Sequence, residues 1–97
     1  MSKRDRLSAA EIATFVADHA GWEHRDSALV KTFAFDDYAG GIAFVVSTGF
    51  AAEKRDHHPD LVVGHRKVQV RWSTHDAGGV TRVDVEMAEL CDRHHHP

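Results

Sequence analysis

Four histidines and several carboxylates fall between Glu53 and Asp84, in a stretch punctuated by proline and glycine. Glu53-Lys54-Arg55-Asp56-His57-His58-Pro59 comes first, Ser73-Thr74-His75-Asp76 follows a strand-like run, and Gly78-Gly79 leads on to Asp84. Histidine is the one side chain whose unperturbed pKa, about 6.5, lets it give and take protons near neutrality. Imidazoles grouped with carboxylates suit proton transfer on a small polar heterocycle, or a metal site. A nucleophilic site fits less well: the stretch holds no cysteine, and Ser73 shows no triad pattern. Neutral imidazole is a good zinc ligand, so His57, His58 and His75 form the metal alternative. Adjacent histidines at a helix end rarely aim at one ion, and we expect no metal there.

These residues need elements to hold them. Ser8 and Glu11 make an S-x-x-E capping box for a helix over Leu7 to His19, with Ile12, Phe15 and Val16 on one face and Gly21 past its end. Trp22 to Arg25 and Ala28 to Phe35 read as a hairpin across Asp26-Ser27. Asp36 or Asp37 caps a second helix from Tyr38 to about Asp56, with Tyr38, Ile42, Val45, Val46 and Gly49 at helical spacing. Its glycines each cost about 1 kcal/mol against alanine. Pro59 supplies the stop, since proline pushes His58 out of the helical region. Leu61 to Val63 is a short strand and Gly64-His65-Arg66 a turn. Lys67 to Ser73 alternates, with Val68, Val70 and Trp72 on the core side.

Asp76 to Gly79 reads as a loop. Thr81 then caps a third helix with Asp84 three residues on, and Val85, Ala88 and Cys91 face the core. The order αββαββα predicts an α+β domain spanning 1–97: a four-stranded antiparallel sheet with three helices packed on one face. Residues 1–6 and 93–97 read as flexible tails, and His19, His24 and His65 as solvated surface. His57 and His58 would end the second helix, where the dipole, Glu53 and Asp56 favour the imidazolium form. His75 would end the fourth strand, beside glycines that let backbone approach a ligand. Asp84 reads equally as a cap partner and as a site carboxylate.

Composition narrows the function. A net charge of −3 with histidines neutral leaves no general basic footprint for nucleic acid. No apolar run reaches the length of a membrane span. The single cysteine cannot form an internal disulfide, which fits a reducing compartment, so we read the chain as cytoplasmic. A 97-residue core is modest, and self-association is expected on size grounds.

Glu53-x-x-Asp56-His57-His58-Pro59, followed by Ser73-Thr74-His75, Gly78-Gly79 and Asp84, resembles the pterin-4a-carbinolamine dehydratases. Leu7-Ser8, Gly21-Trp22, Phe33-x-Phe35 and Ala52-Glu53-Lys54 extend the likeness over roughly residues 7 to 92. The resemblance implies four antiparallel strands with three helices. It also implies dehydration of 4a-hydroxytetrahydrobiopterin to quinonoid dihydropterin, a step that regenerates the cofactor of aromatic amino-acid hydroxylases and needs no metal or cofactor. By the same resemblance His57 and His75 are the acid–base pair, His58 binds substrate, and Asp84 orients or charges a histidine. Glu53, Asp56, Pro59, Ser73, Thr74 and Asp76 would bind the pterin.

A homodimer that extends the sheet, or a homotetramer, is implied too, serving an aromatic amino-acid hydroxylase. The family's relatives include dehydratase-like proteins without the activity, some resembling RuBisCO assembly factors. A catalytically silent assembly or binding protein is therefore the second expectation. Two positions depart from the pattern: His65 stands where an aromatic residue is usual, and Leu61 where many members have tryptophan.

Overall fold

Ser8 opens the first helix: its hydroxyl oxygen accepts the Glu11 N–H at 3.1 Å, while the Glu11 carboxylate accepts the Ser8 N–H at 2.9 Å. This reciprocal box satisfies two N–H groups that a helix start leaves unpaired. A computed structural model describes residues 2–97. The elements are α1 (Ala9–Asp18), β1 (Glu23–Arg25), β2 (Ala28–Ala34), α2 (Tyr38–Arg55), β3 (Asp60–Val63), β4 (Lys67–Trp72), a 3-10 turn at His75–Ala77, and α3 (Arg82–His94). Every strand pair is antiparallel and the sheet order is β1-β2-β4-β3. After α1 the chain turns at Gly21 with φ of 90°, a conformation open to glycine because it has no Cβ.

The alternation along β4 survives folding. Val68, Val70 and Trp72 are sealed in the core, and Val68 and Trp72 pair with Phe33 and Leu29 of β2. The helices cover this face, contributing Ile12 and Phe15 from α1, Phe44 and Ala52 from α2, and Val85, Ala88 and Cys91 from α3. Burial pushes the Cys91 thiol up to about 11, so it stays protonated and unreactive near neutrality.

The inner face of α2 differs from the spacing-based expectation. Gly41, Phe44, Thr48 and Ala52 turn inward, while Tyr38, Val46 and Phe50 face solvent, Phe50 with 76% exposure. The helix is apolar on two sides, so periodicity does not say which side the sheet takes. Gly41 lies where a Cβ would press on Val68 Cγ2 at 3.4 Å, whereas Gly49 has open space around it. The stop differs as well. Asp56 adopts φ 55° and ψ 44°, and its N–H bonds back to the carbonyls of Ala52 and Glu53, ending the helix before Pro59 is reached.

The chain ends are tied down rather than free. Lys3 Nζ lies 2.9 Å from Glu86, Arg6 bridges to Thr81, and the Leu7 N–H donates to Val80 O at 2.9 Å. At the other end α3 runs on through His94. The His95 ring stands edge-on to Phe33 and Phe35 at 5.0 Å and donates to Ala34 O at 2.7 Å, and Pro97 O accepts the Asp36 N–H. A run of histidines predicts exposure, yet an imidazole has an apolar body that packs. His19 repeats the point: it stacks on Phe15 at 4.0 Å and bonds to Phe15 O and Glu89. Met1 of the expected tail lies outside the described residues.

Candidate acid–base site

The left-handed turn at Asp56 swings His57 inward and leaves His58 outside. His57 is only 6% exposed. Its ring lies parallel to the Trp72 indole, with centroids 5.8 Å apart and planes within 8°. His57 Nε2–H donates to Asp84 Oδ1 at 2.6 Å. Asp84, from the first turn of α3, has 0% exposure. Its second oxygen accepts the Thr81 N–H at 2.9 Å and the Thr74 hydroxyl at 2.8 Å. Taking a carboxylate out of water costs several kcal/mol unless donors replace the lost solvent, and here three residues supply them. Asp84 is thus both the cap partner of Thr81 and the acceptor for His57.

Strand alternation places those donors. Trp72 and Thr74 turn inward, Ser73 between them is half-buried, and a bridge between Thr74 and Gly79 closes the loop. The loop's 3-10 turn ends at Gly78 with φ of 72°, again a glycine conformation. His75 and Asp76 stand exposed on this turn. His75 was expected to end the fourth strand; the strand stops at Trp72 and His75 opens the turn instead.

One concavity of about 240 Å³ is lined by Arg4, Asp56, His57, His58, Ser73, His75 and Asp76. Imidazoles from the end of α2 and from the turn after β4 therefore meet over a single hollow. His58 Nε2–H donates to Glu53 at 2.7 Å, so Glu53 meets the hollow only through His58. Three expected substrate contacts, Glu53, Thr74 and Pro59, fall outside this lining. Thr74 is buried with its hydroxyl on Asp84, because it shares the inward parity of Trp72. Pro59 is half-buried and does not line the hollow. For zinc, His57 is turned to Asp84 and His58 to Glu53, and no metal-holding group of three appears among the described residues. A larger hollow of about 330 Å³ between α2 and the C-terminal segment is lined by Phe35, Phe44, Ser47, His94 and His96 among others, with no carboxylate in its wall.

Arg4 is the lining residue that sequence reading missed. Its guanidinium sits 3.5 Å from Asp56 O, and the only signal was the charge of a segment read as a tail. The neighbouring Lys3 anchors this segment through Glu86, which also accepts Arg55 at 2.7 Å. Hydrogen bonds from Lys3 and then Arg55 hold the Glu86 carboxyl below its ordinary range, against the opposing effect of burial. A depressed carboxylate contributes stability above its unfolded pKa and loses it as pH falls through the folded value. Urea melts at stepped pH should therefore show the gap between wild type and Glu86→Gln widest at neutrality and closing in acid. A gap that stays constant with pH would remove Glu86 as the anchor.

Known proteins share the fold. The chain superposes with a TM-score of 0.88 at 30% identity on the crystal structure of a transcriptional coactivator/pterin dehydratase from Brucella melitensis, covering 93% of this chain and 98% of that one. A pterin dehydratase-like protein described as a RuBisCO assembly factor in the alpha-carboxysome shares the fold alone, at TM-score 0.67 and 23% identity over 78% of this chain and 90% of that one. The architecture is thus that of a pterin-dehydratase-fold domain. The profile of the Pterin 4 alpha carbinolamine dehydratase family matches residues 5–94. Proteins named "Putative pterin-4-alpha-carbinolamine dehydratase" are 41% identical in Natronomonas pharaonis, over 91% of this chain and 94% of that one, and 42% identical in a Roseiflexus species, over 90% and 94%. The chain belongs to the pterin-4a-carbinolamine dehydratase family.

Proposed function

We propose that this chain dehydrates 4a-hydroxytetrahydrobiopterin to quinonoid dihydropterin and water by histidine acid–base catalysis. The observation that carries the reading is the shared hollow of His57, His58 and His75, backed by a sealed carboxylate behind one of them. The C4a–O bond breaks as a proton reaches the departing hydroxyl, which leaves as water. Loss of the N5 proton lets that nitrogen's electrons close a C4a=N5 double bond. Two proton carriers on one small ring are what the step needs, each worth about 10²–10⁴-fold. His57 and His75 fill those roles, His58 binds the ring, and Asp84 orients His57. Asp56, Ser73 and Asp76 supply polar contacts from the wall, with Glu53 acting through His58.

The reaction would recycle the pterin cofactor of an aromatic amino-acid hydroxylase in the cytoplasm, a setting that suits a lone buried thiol. Spectroscopic following of quinonoid dihydropterin from freshly generated carbinolamine tests the reading. Acceleration by the folded wild type is expected. Pterin binding without acceleration would make the chain a pterin binder, and neither result would favour a silent assembly protein.

A homodimer or homotetramer belongs to the same proposal. β3 is an edge strand with exposed Val62 and Val63, and α2 exposes Tyr38, Val46 and Phe50. Unpaired edges and apolar faces of this kind are usually covered in solution. Phe50→Glu should shift the mass measured by light scattering toward the smaller species without lowering secondary structure. An unchanged mass would take the α2 face out of the assembly.

A further inference from the structure

We propose that Trp72 is a positioning residue for His57: its indole face fixes the imidazole plane so that Nε2 stays on Asp84 and Nδ1 is presented to the hollow. This rests on the reading that His57 carries a proton for the substrate. The stack itself is direct, with the rings 5.8 Å apart and 8° from parallel, inside the range for offset aromatic stacking. Trp72 is itself fully buried and paired with Leu29 across the ladder.

Its place in the strand matters. Trp72 and Thr74 lie two residues apart on the same inward face, so one strand end supports both partners of the pair, Trp72 under the imidazole and Thr74 on the carboxylate. The indole N–H takes no part in this: Nε1 is buried without an oxygen or nitrogen partner among the described residues and lies by the weakly accepting Cys91 thiol. An unpaired buried donor is unfavourable, and an aliphatic residue would fill the core without it. What tryptophan contributes is the flat face. Meanwhile His57 Nδ1 makes no hydrogen bond among the described residues, and the ring lines the hollow. A donor Nε2–H on Asp84 leaves the lone pair of the neutral ring on Nδ1, where a substrate proton can be taken.

Two readouts on the full chain test this. Long-range ¹⁵N correlation spectra report the His57 tautomer, and carbinolamine turnover reports its placement. Wild type should show His57 as the Nε2–H tautomer alone, and Trp72→Phe, which keeps a ring in place, should match it. Trp72→Leu should show a tautomer mixture, with kcat lowered about 10- to 100-fold, the penalty of a misplaced group, and KM within about twofold. Trp72→Met, a pliable filler of similar reach, replaces the leucine variant if that does not fold. A ringless variant that keeps the single tautomer and wild-type kcat, with only a lower Tm, would reduce Trp72 to core filling and overturn the proposal. If wild type does not turn over carbinolamine, the proposed reaction fails on its own, and the tautomer spectra still decide the role of Trp72.

Discussion

Asp84→Ala is expected to lose about 3–5 kcal/mol of folding stability, the usual result of removing one partner from a buried pair. The substitution strips the acceptor from His57 Nε2, the Thr74 hydroxyl and the Thr81 N–H together. It also opens the N-terminal turn of α3, where Asp84 accepts the cap residue's N–H. A domain of this size has about 5–15 kcal/mol in all, so the variant should sit close to unfolding at room temperature. Asp84→Asn separates the chemistry from the fold. The amide fills the same space and keeps an oxygen, but its NH₂ can face His57 and donate to Nε2. That would force the proton to Nδ1, the nitrogen proposed to take the substrate proton. Turnover should then drop by about 10³–10⁴-fold, as when an orienting carboxylate in a catalytic triad is made an amide, while urea melts show a smaller loss than for alanine. Near-native turnover in a folded Asp84→Asn would separate Asp84 from the chemistry and leave it a helix cap.

His75→Ala reverses the balance. The imidazole is exposed and makes no side-chain hydrogen bond among the described residues. Its loss should change stability by no more than about 0.5 kcal/mol. The same substitution removes one of two proposed proton carriers, so kcat should fall by about 10²–10⁴-fold. Circular dichroism melts beside carbinolamine turnover give both numbers from one preparation. Full activity in the variant would take His75 out of the mechanism and leave His57 and His58 to account for both transfers. A large stability loss would mean that the turn after β4 depends on this side chain.

The two variants differ because of where the chain puts its polar groups. Asp84 is sealed, so under the proposed mechanism its loss costs stability first and turnover through His57. His75 borders water, so by the same mechanism its loss costs turnover alone. The same contrast marks His57 and His58, neighbours in sequence: one is packed on Trp72 and bonded to Asp84, the other is exposed and bonded to Glu53.

Local chemistry was enough to determine much of this protein. The Ser8–Glu11 box, the Asp37 cap, the alternation of Val68, Val70 and Trp72, and the Thr81–Asp84 spacing each act within a few residues, so the element order and sheet class were legible from the chain. That His57, His58, His75 and Asp84 would lie together was legible too, because imidazoles and carboxylates crowd into one short stretch of the chain. Tertiary structure decided what those residues face. It turned α2 so that Gly41 and Phe44 meet the sheet while Phe50 stays outside, a choice that a helix apolar on two sides leaves open. It sent Thr74 to the buried carboxylate, brought Arg4 across from the N-terminal arm, and docked His95 among phenylalanines. Each of these depends on contacts between residues far apart in the chain. Burial and partner are properties of the packed whole, and residue spacing carries no record of them.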